Sequence, residues 1–352
     1  MPEGLLERLN KGPVICAEGY LFEAERRGYL SAGEFVPQIA LEHPEVLGQI
    51  HRDFRHAGSD VVQAFTYNGH REKMRVIGKE ALLEPLNRNA LKVAKSIATE
   101  PMDGLPDALV AGNISNTNIW DPANPDACAE AARMFEEMAE WAADEGADFI
   151  IGETFYWAAE AEAALAAIRR AGLPAVIMLA PMANDAMQEG MGVAECSQRL
   201  EAQGATVVGM NCFRGPETMW PLLSEIRAAV SCPVAALPVP YRTTAEQPTF
   251  FNLDDPGNCQ CPAPHGRTFP TALDPLYCNR YEIRAFAERC LAAEINFLGV
   301  CCGASPIHIR EIAEACGRTP PASRYRERME NHFMYGSNER IPEAYKALGD
   351  RA

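Results

Sequence analysis

The chain contains no apolar run approaching the roughly 18 residues that a membrane-spanning helix requires. Its opening residues, MPEGLLERLNKG, lack the basic head and apolar stretch of a secretory signal. No C-x-x-C pair occurs, which removes the usual ribbon-type zinc and thioredoxin-type signatures. No glycine-rich turn follows any apolar run, so the dinucleotide fingerprint of an open, doubly wound sheet is missing. Positive charge is also short: 32 Lys and Arg face 48 Asp and Glu, a formal net charge of −16. Such a surface repels nucleic-acid backbones and anionic membranes, so neither is an expected partner. A cationic or zwitterionic small molecule suits it better. With no sign of export, the 12 cysteines are expected to be reduced, in a cytoplasmic setting, as core residues, metal ligands or catalysts.

What is present points to one fold class. Hydrophobic residues make up 47% of the 352, enough for a large core, and short apolar runs recur at regular intervals. They are Pro13 to Ala17, Asp60 to Thr66, Ala108 to Ser115, Asp148 to Thr154, Ala175 to Ala180, Val207 to Cys212, Val234 to Val239 and Phe297 to Cys302. Each is continuous rather than alternating, as expected of parallel strands buried on both faces. Helical patterns such as CAEAARMFEEMAEWAADEG and EAEAALAAIRRAG lie between them. Eight strands alternating with helices predict an α/β architecture, a (β/α)8 TIM barrel over residues 1–320. A polar, Pro-interrupted C-terminal tail follows over 321–352. The longest irregular stretch, Arg242 to Leu276, leaves the C-terminal end of the seventh strand, where barrel active sites are built.

The chemistry sits at the strand ends. The sixth strand closes in Gly-Met-Asn-Cys, placing Asn211 and Cys212 at the mouth, and the eighth closes in Gly-Val-Cys-Cys-Gly, placing Cys301 and Cys302 there. Three thiols converging on one cavity can hold Zn²⁺, which favours tetrahedral sulfur and nitrogen ligands. Adjacent cysteines on a strand point to opposite faces; both can reach one ion only if the chain turns, which Gly303 permits. The alternative is three ordinary buried cysteines. Cys259 and Cys261, with His265 nearby, read as a loop feature. Glu18 closes the first strand and Glu153 the fourth; two acids aimed at one mouth suit an ammonium group or an acid–base pair. Phe35, Phe65, Tyr67, Phe155, Tyr156, Trp157 and Tyr241 stand near the same ends, either packed or as an aromatic cage for a quaternary cation.

The segments EGYLFEAERRGYLSAGEFVP, LEHPEVLGQIHRDFRHAGSDVVQAFTY, DFIIGETF, VVGMNC and GVCCGASPIHIREIAE resemble the homocysteine S-methyltransferase family, its bacterial betaine-using branch above all, from about Leu5 to Ala322. The resemblance implies a zinc-dependent barrel with Cys212, Cys301 and Cys302 as metal ligands. It implies Glu153 at the homocysteine amine. The family's Asp-Gly-Gly turn reads Ala17-Glu18-Gly19 here, so Glu18 is displaced by one residue from the family acid. The positions that enclose a trimethylammonium group in the betaine enzymes carry Phe35 and Asn68, with Tyr67 beside the latter. Together with Gly19 and Asn211 these are the expected substrate-binding residues, and Glu18 and Glu153 the expected catalytic ones. Arg242 and Arg214 are candidates for a substrate carboxylate. The implied reaction moves a methyl group from glycine betaine to the zinc-bound thiolate of L-homocysteine. A sulfonium donor, or a zinc–thiolate protein without catalysis, are the alternatives; a homo-oligomer is allowed.

Overall fold

The computed structural model describes residues 3–102, 104–254 and 267–349. Eight parallel strands close on one another in chain order. They are β1 (Val14–Ala17), β2 (Val61–Gln63), β3 (Leu109–Ser115), β4 (Phe149–Phe155), β5 (Ala175–Leu179), β6 (Val207–Asn211), β7 (Val234–Leu237) and β8 (Phe297–Val300). The ring is sealed between first and last, with Val14 opposite Phe297 and Ala17 opposite Val300. Seven of the eight apolar runs contain one of these strands and the fourth covers all of β4 but its last residue, Phe155, so the TIM-barrel expectation holds.

The continuous runs have a simple cause. Successive side chains on a strand alternate sides, and here both sides are dry. Val14, Cys16, Val61, Leu109, Ala111, Phe149, Ile151 and Phe297 fill the barrel interior. Ile15, Ala17, Val62, Val110 and Ile150 belong instead to the layer between barrel and helices. Leu5 and Leu9 of the first short helix, Leu5–Leu9, join the interior cluster.

The outer helices begin where their sequences say they should. Proline occupies the first helical position in Pro125–Asp144, Pro216–Ala229 and Pro306–Ala315, where its missing N–H costs nothing. The helix Ala158–Arg170 is closed from a distance: the Glu189 carboxylate accepts from the Ala158 and Ala159 amides, both at 3.0 Å. After the last barrel helix the chain continues in two 3-10 turns and the helix Glu343–Gly349. Among the described residues no helix is long and apolar enough to cross a membrane.

Left-handed backbone outside glycine gathers at one end, with Glu294 (φ 59°), ahead of β8, the exception among the described residues. Phe35, Asn68, Asn118, Thr154, Cys212 and Phe213 all have φ between +51° and +64°. All follow, or close, the C-terminal ends of strands. Left-handed backbone at residues other than glycine costs on the order of 1 kcal/mol or more, and such residues cluster where function holds them.

Candidate active site and metal centre

Extending the inward-facing positions by one more step of two gives the upper layer of the barrel. After Cys16 comes Glu18, after Val61 comes Gln63, after Ala111 comes Asn113 and after Ile151 comes Glu153. The same rule places Asn211 on β6 and Cys301 just beyond β8. Every one of these six residues is buried, and all six are bonded into a single network.

Glu153 is its centre. Its Oε1 accepts from Asn113 Nδ2 at 2.5 Å and Gln63 Nε2 at 2.9 Å. Asn211 Nδ2 lies 2.7 Å from Glu153 Oε2, 3.2 Å from Glu18 Oε2 and 3.7 Å from Cys301 Sγ. The amide of Asn211 thus spans both carboxylates and one thiol. Its own Oδ1 accepts from the Thr154 N–H at 2.9 Å, a group released where the pairing of β4 with β5 slips between Gly152 and Phe155. Glu18 therefore reaches the same cluster as Glu153.

The three thiols expected at the mouth also meet. The Sγ atoms of Cys212, Cys301 and Cys302 lie within 4.8 Å of one another, and Glu18, Glu153 and Cys301 form a second such group. Two sulfurs on one tetrahedral zinc stand about 3.8 Å apart, given Zn–S bonds of about 2.3 Å. Thiol spacing and donor chemistry therefore fit that ion. Cys212 is brought in by two left-handed residues in succession, Cys212 at φ 57° and Phe213 at φ 54°.

The electrostatics show a site short of positive charge. Burial, then the neighbouring Glu153, raises the Glu18 carboxyl well above the usual range, against the Asn211 hydrogen bond. Burial and the Cys212 sulfur push Glu153 up to about 7, against hydrogen bonds from Asn113, Asn211 and Gln63. Burial opposes ionisation of Cys212 as well, yet hydrogen bonds from Cys301 and Cys302 outweigh it and hold that thiol well below its ordinary range. Burial and Cys212 drive Cys301 the other way. Ionisation of Cys212 is favoured at the expense of its neighbours; a cation is the partner that would allow more.

A tight cavity adjoins these groups, lined by Glu18, Tyr20, Gln63, Phe65, Tyr67, Asn113, Glu153, Cys301 and Cys302, with Leu21. Two buried acceptors on its lining residues, Glu18 Oε1 and Asn113 Oδ1, have no partner. Tyr67 is brought to the cavity. Phe35 and Asn68 do not line it: Asn68 Nδ2 donates to the Phe35 carbonyl at 3.2 Å, tying the loops after β1 and β2 together. Gly19 does not touch the cavity either. A Cβ there would meet Ala304 Cβ and its carbonyl at 2.7 Å, so its role is the close approach of the β1 and β8 turns.

The two arginine candidates are engaged elsewhere. Arg214 is buried, paired with Asp185 at 2.8 Å and donating to the Met182 carbonyl. Arg242 forms a two-pronged pair with Glu282 at 2.6 and 2.7 Å, in the open. A charged partner had already claimed each one. Cys259, Cys261 and His265 lie outside the described residues. Reading the sequence missed Gln63 and Asn113; the period-two rule, carried one step past the apolar residues, would have found both.

A family model described as homocysteine S-methyltransferase matches residues 21–316. The chain is 33% identical over 345 residues to betaine–homocysteine S-methyltransferase 1 of Danio rerio, covering 95% of this chain and 80% of that protein. It is 30% identical over 345 residues to the S-methylmethionine–homocysteine S-methyltransferase BHMT2 of Pongo abelii, covering 95% of this chain and 86% of that protein. Among solved structures, the oxidized form of the Escherichia coli homocysteine methyltransferase MmuM superimposes with a TM-score of 0.66 at 17% identity, covering 88% of this chain and 98% of that one. Its metallated form gives 0.61.

Proposed function

The chain belongs to the homocysteine S-methyltransferase family, and on that footing we propose that it methylates L-homocysteine from glycine betaine, with Zn²⁺ held by Cys212, Cys301 and Cys302. The observation that carries this reading is the juxtaposition of the thiol trio with two buried carboxylates whose neighbouring acceptors are unpartnered. A free thiol has a pKa of about 8.5 and is mostly protonated at neutral pH. Cys212, Cys301 and Cys302 would hold the ion, which when bound would supply the acidity that keeps the homocysteine sulfur ionised and nucleophilic.

The remaining work falls to side chains. A substrate ammonium has three N–H donors, and Glu18 Oε1, Asn113 Oδ1 and the Glu153 carboxylate are the acceptors that surround the cavity. Asn113, Gln63 and Asn211 keep Glu153 in one orientation, so the amine is fixed and its sulfur is directed toward the cysteines. Holding sulfur and methyl carbon in line supplies much of the acceleration through proximity. As the new C–S bond forms, the C–N bond of betaine breaks and its electron pair stays on nitrogen. Dimethylglycine and L-methionine result. Attack of an anion on a cation cancels charge, so dry walls favour the transition state over the reactants. Tyr20, Phe65 and Tyr67 supply such walls on this side of the cavity.

One observation favours a second donor class. Phe35 and Asn68 are bonded to each other rather than lining the cavity, and one similar protein is named for S-methylmethionine. The deciding experiment is methionine formation by zinc-loaded protein with homocysteine and, separately, glycine betaine, S-methylmethionine and dimethylsulfoniopropionate. Turnover led by glycine betaine supports the proposal. Preference for either sulfonium replaces the donor, and no methionine from any of the three rejects the reaction.

A further inference from the structure

Cys301 and Cys302 adjoin in sequence, so an extended strand would send their side chains to opposite faces. They share a site because the chain turns: the Ala304 N–H donates to the Cys301 carbonyl at 2.9 Å, and Gly303 takes φ +95°. The third place of a four-residue turn of this kind demands positive φ. A turn at the end of a strand has no ladder on both sides to hold it, and its shape decides whether the two sulfurs face one ion.

Three residues from elsewhere in the chain fasten it. The Tyr277 hydroxyl donates to the Gly303 carbonyl. Arg26, in the helix after β1, approaches the same carbonyl at 3.5 Å with one nitrogen and the Tyr241 hydroxyl at 3.3 Å with the other. Its guanidinium lies 5.3 Å from the centre of the Tyr277 ring. Tyr241 covers Gly303 so closely that a Cβ there would fall 2.5 Å from its hydroxyl oxygen. Tyr277 is itself pinned beside the end of β7: the Arg242 N–H donates to the Leu276 carbonyl at 2.9 Å and the Cys278 N–H to the Pro240 carbonyl at 2.8 Å. None of Arg26, Tyr241 and Tyr277 lines the cavity.

We propose that Tyr277 is a positioning residue for the metal centre: its hydroxyl, with Arg26 beside it, holds the Cys301–Gly303 turn in the shape that presents both thiols to one ion. The proposal rests on the thiol trio being the zinc site. It gives the far end of the irregular stretch after β7 a direct line to the metal. Groups that orient metal ligands from one bond away typically govern affinity by about 10–100-fold.

Tyr277→Phe removes the hydroxyl and keeps the ring against His308, whose centre is 4.9 Å away. Full-length wild type, Tyr277→Phe, Arg26→Gln and a control, Tyr281→Phe, would be compared by zinc transfer to a chromophoric chelator. The thiolate absorption of cobalt-substituted protein gives a second readout. Tyr281 is exposed, and its hydroxyl bonds Glu327 at 2.8 Å. The expected result is a roughly 10–100-fold loss of zinc affinity in Tyr277→Phe with a shifted cobalt spectrum. Arg26→Gln should lose less, and Tyr281→Phe nothing. Metal-free Tyr277→Phe should stay folded and cooperative in denaturant, with only the small loss of one hydrogen bond. Unchanged affinity and spectrum in both Tyr277→Phe and Arg26→Gln, with wild type binding zinc, overturn the positioning role alone. A wild-type chain that takes up no zinc overturns the metal reading beneath it.

Discussion

Val14, Val61, Leu109, Phe149 and Phe297 fill the lower end of the barrel, whereas two to four residues further along the same chain segments Glu18, Gln63, Asn113, Glu153 and Cys301 fill the upper end. Both sets are buried to a similar degree. At the lower end burial is its own reward, about 25 cal/mol for each Å² of apolar surface removed from water. At the upper end every buried polar atom must find a partner or bear the loss of water. Most do, through the amides of Gln63, Asn113 and Asn211. The few that do not, Glu18 Oε1 and Asn113 Oδ1, border the cavity. The contrast shows that burial alone does not mark a core: height along the strand separates the end that stabilises from the end that binds.

The sharpest way to test this division is a pair of substitutions, one at each end. Cys301→Ala should reduce bound zinc and methionine formation to background while leaving the folded state intact. Phe149→Ala, at a residue fully buried inside the barrel, should cost about 3–5 kcal/mol of stability yet leave the zinc content of the folded fraction unchanged. Zinc per chain and denaturant unfolding measure the two. If Cys301→Ala kept full activity in the presence of a chelator, the zinc assignment would fall.

A smaller effect refines the upper end. Glu153→Ala removes the acceptor at the centre of the amide network, a charge-assisted interaction of about 1.5–3 kcal/mol. The half-saturating homocysteine concentration should rise by roughly ten- to a hundredfold, and that for the methyl donor far less. Steady-state kinetics with each substrate varied in turn decide it, and equal shifts for both would remove Glu153 from the amine.

The least effect concerns a third buried carboxylate on the mouth side, outside the barrel interior. Glu160 accepts from the Thr117 N–H at 2.7 Å and hydroxyl at 2.6 Å, and burial pushes its pKa from 4.5 up to about 7. A carboxyl raised on folding contributes its stability fully below pH 4.5 and gives it up as pH rises through 7. Wild type should therefore lose on the order of 1–3 kcal/mol relative to Glu160→Gln between pH 4.5 and 8. Parallel denaturation curves across that range would contradict it.

How much of this was legible beforehand depends on what each residue's role rests on. Strands and barrel were readable because runs such as Ala175 to Ala180 and Val207 to Cys212 are apolar on both faces, a pattern that few other folds require. Glu18, Glu153 and the three cysteines stood out because charged and thiol groups at the ends of such runs are conspicuous. Gln63 and Asn113 did not stand out, since neutral amides within a strand look like ordinary edge positions until the inward face is known. Arg214 and Arg242 were misread for the opposite reason. Their charge was visible, but Asp185 and Glu282, which hold them, come from other elements.

By itself the sequence determined the order of strands and helices, the closure of the barrel and the end at which polar chemistry collects. Those follow from local periodicity and from the fixed geometry of parallel strands. Tertiary structure alone decided which acceptors stay unpartnered, that Asn68 binds Phe35 rather than the cavity, and that Tyr277 and Arg26 meet at Gly303. Each of these depends on distances between segments far apart in the chain, and hydrogen bonds, unlike hydrophobic burial, are won or lost over a few tenths of an ångström.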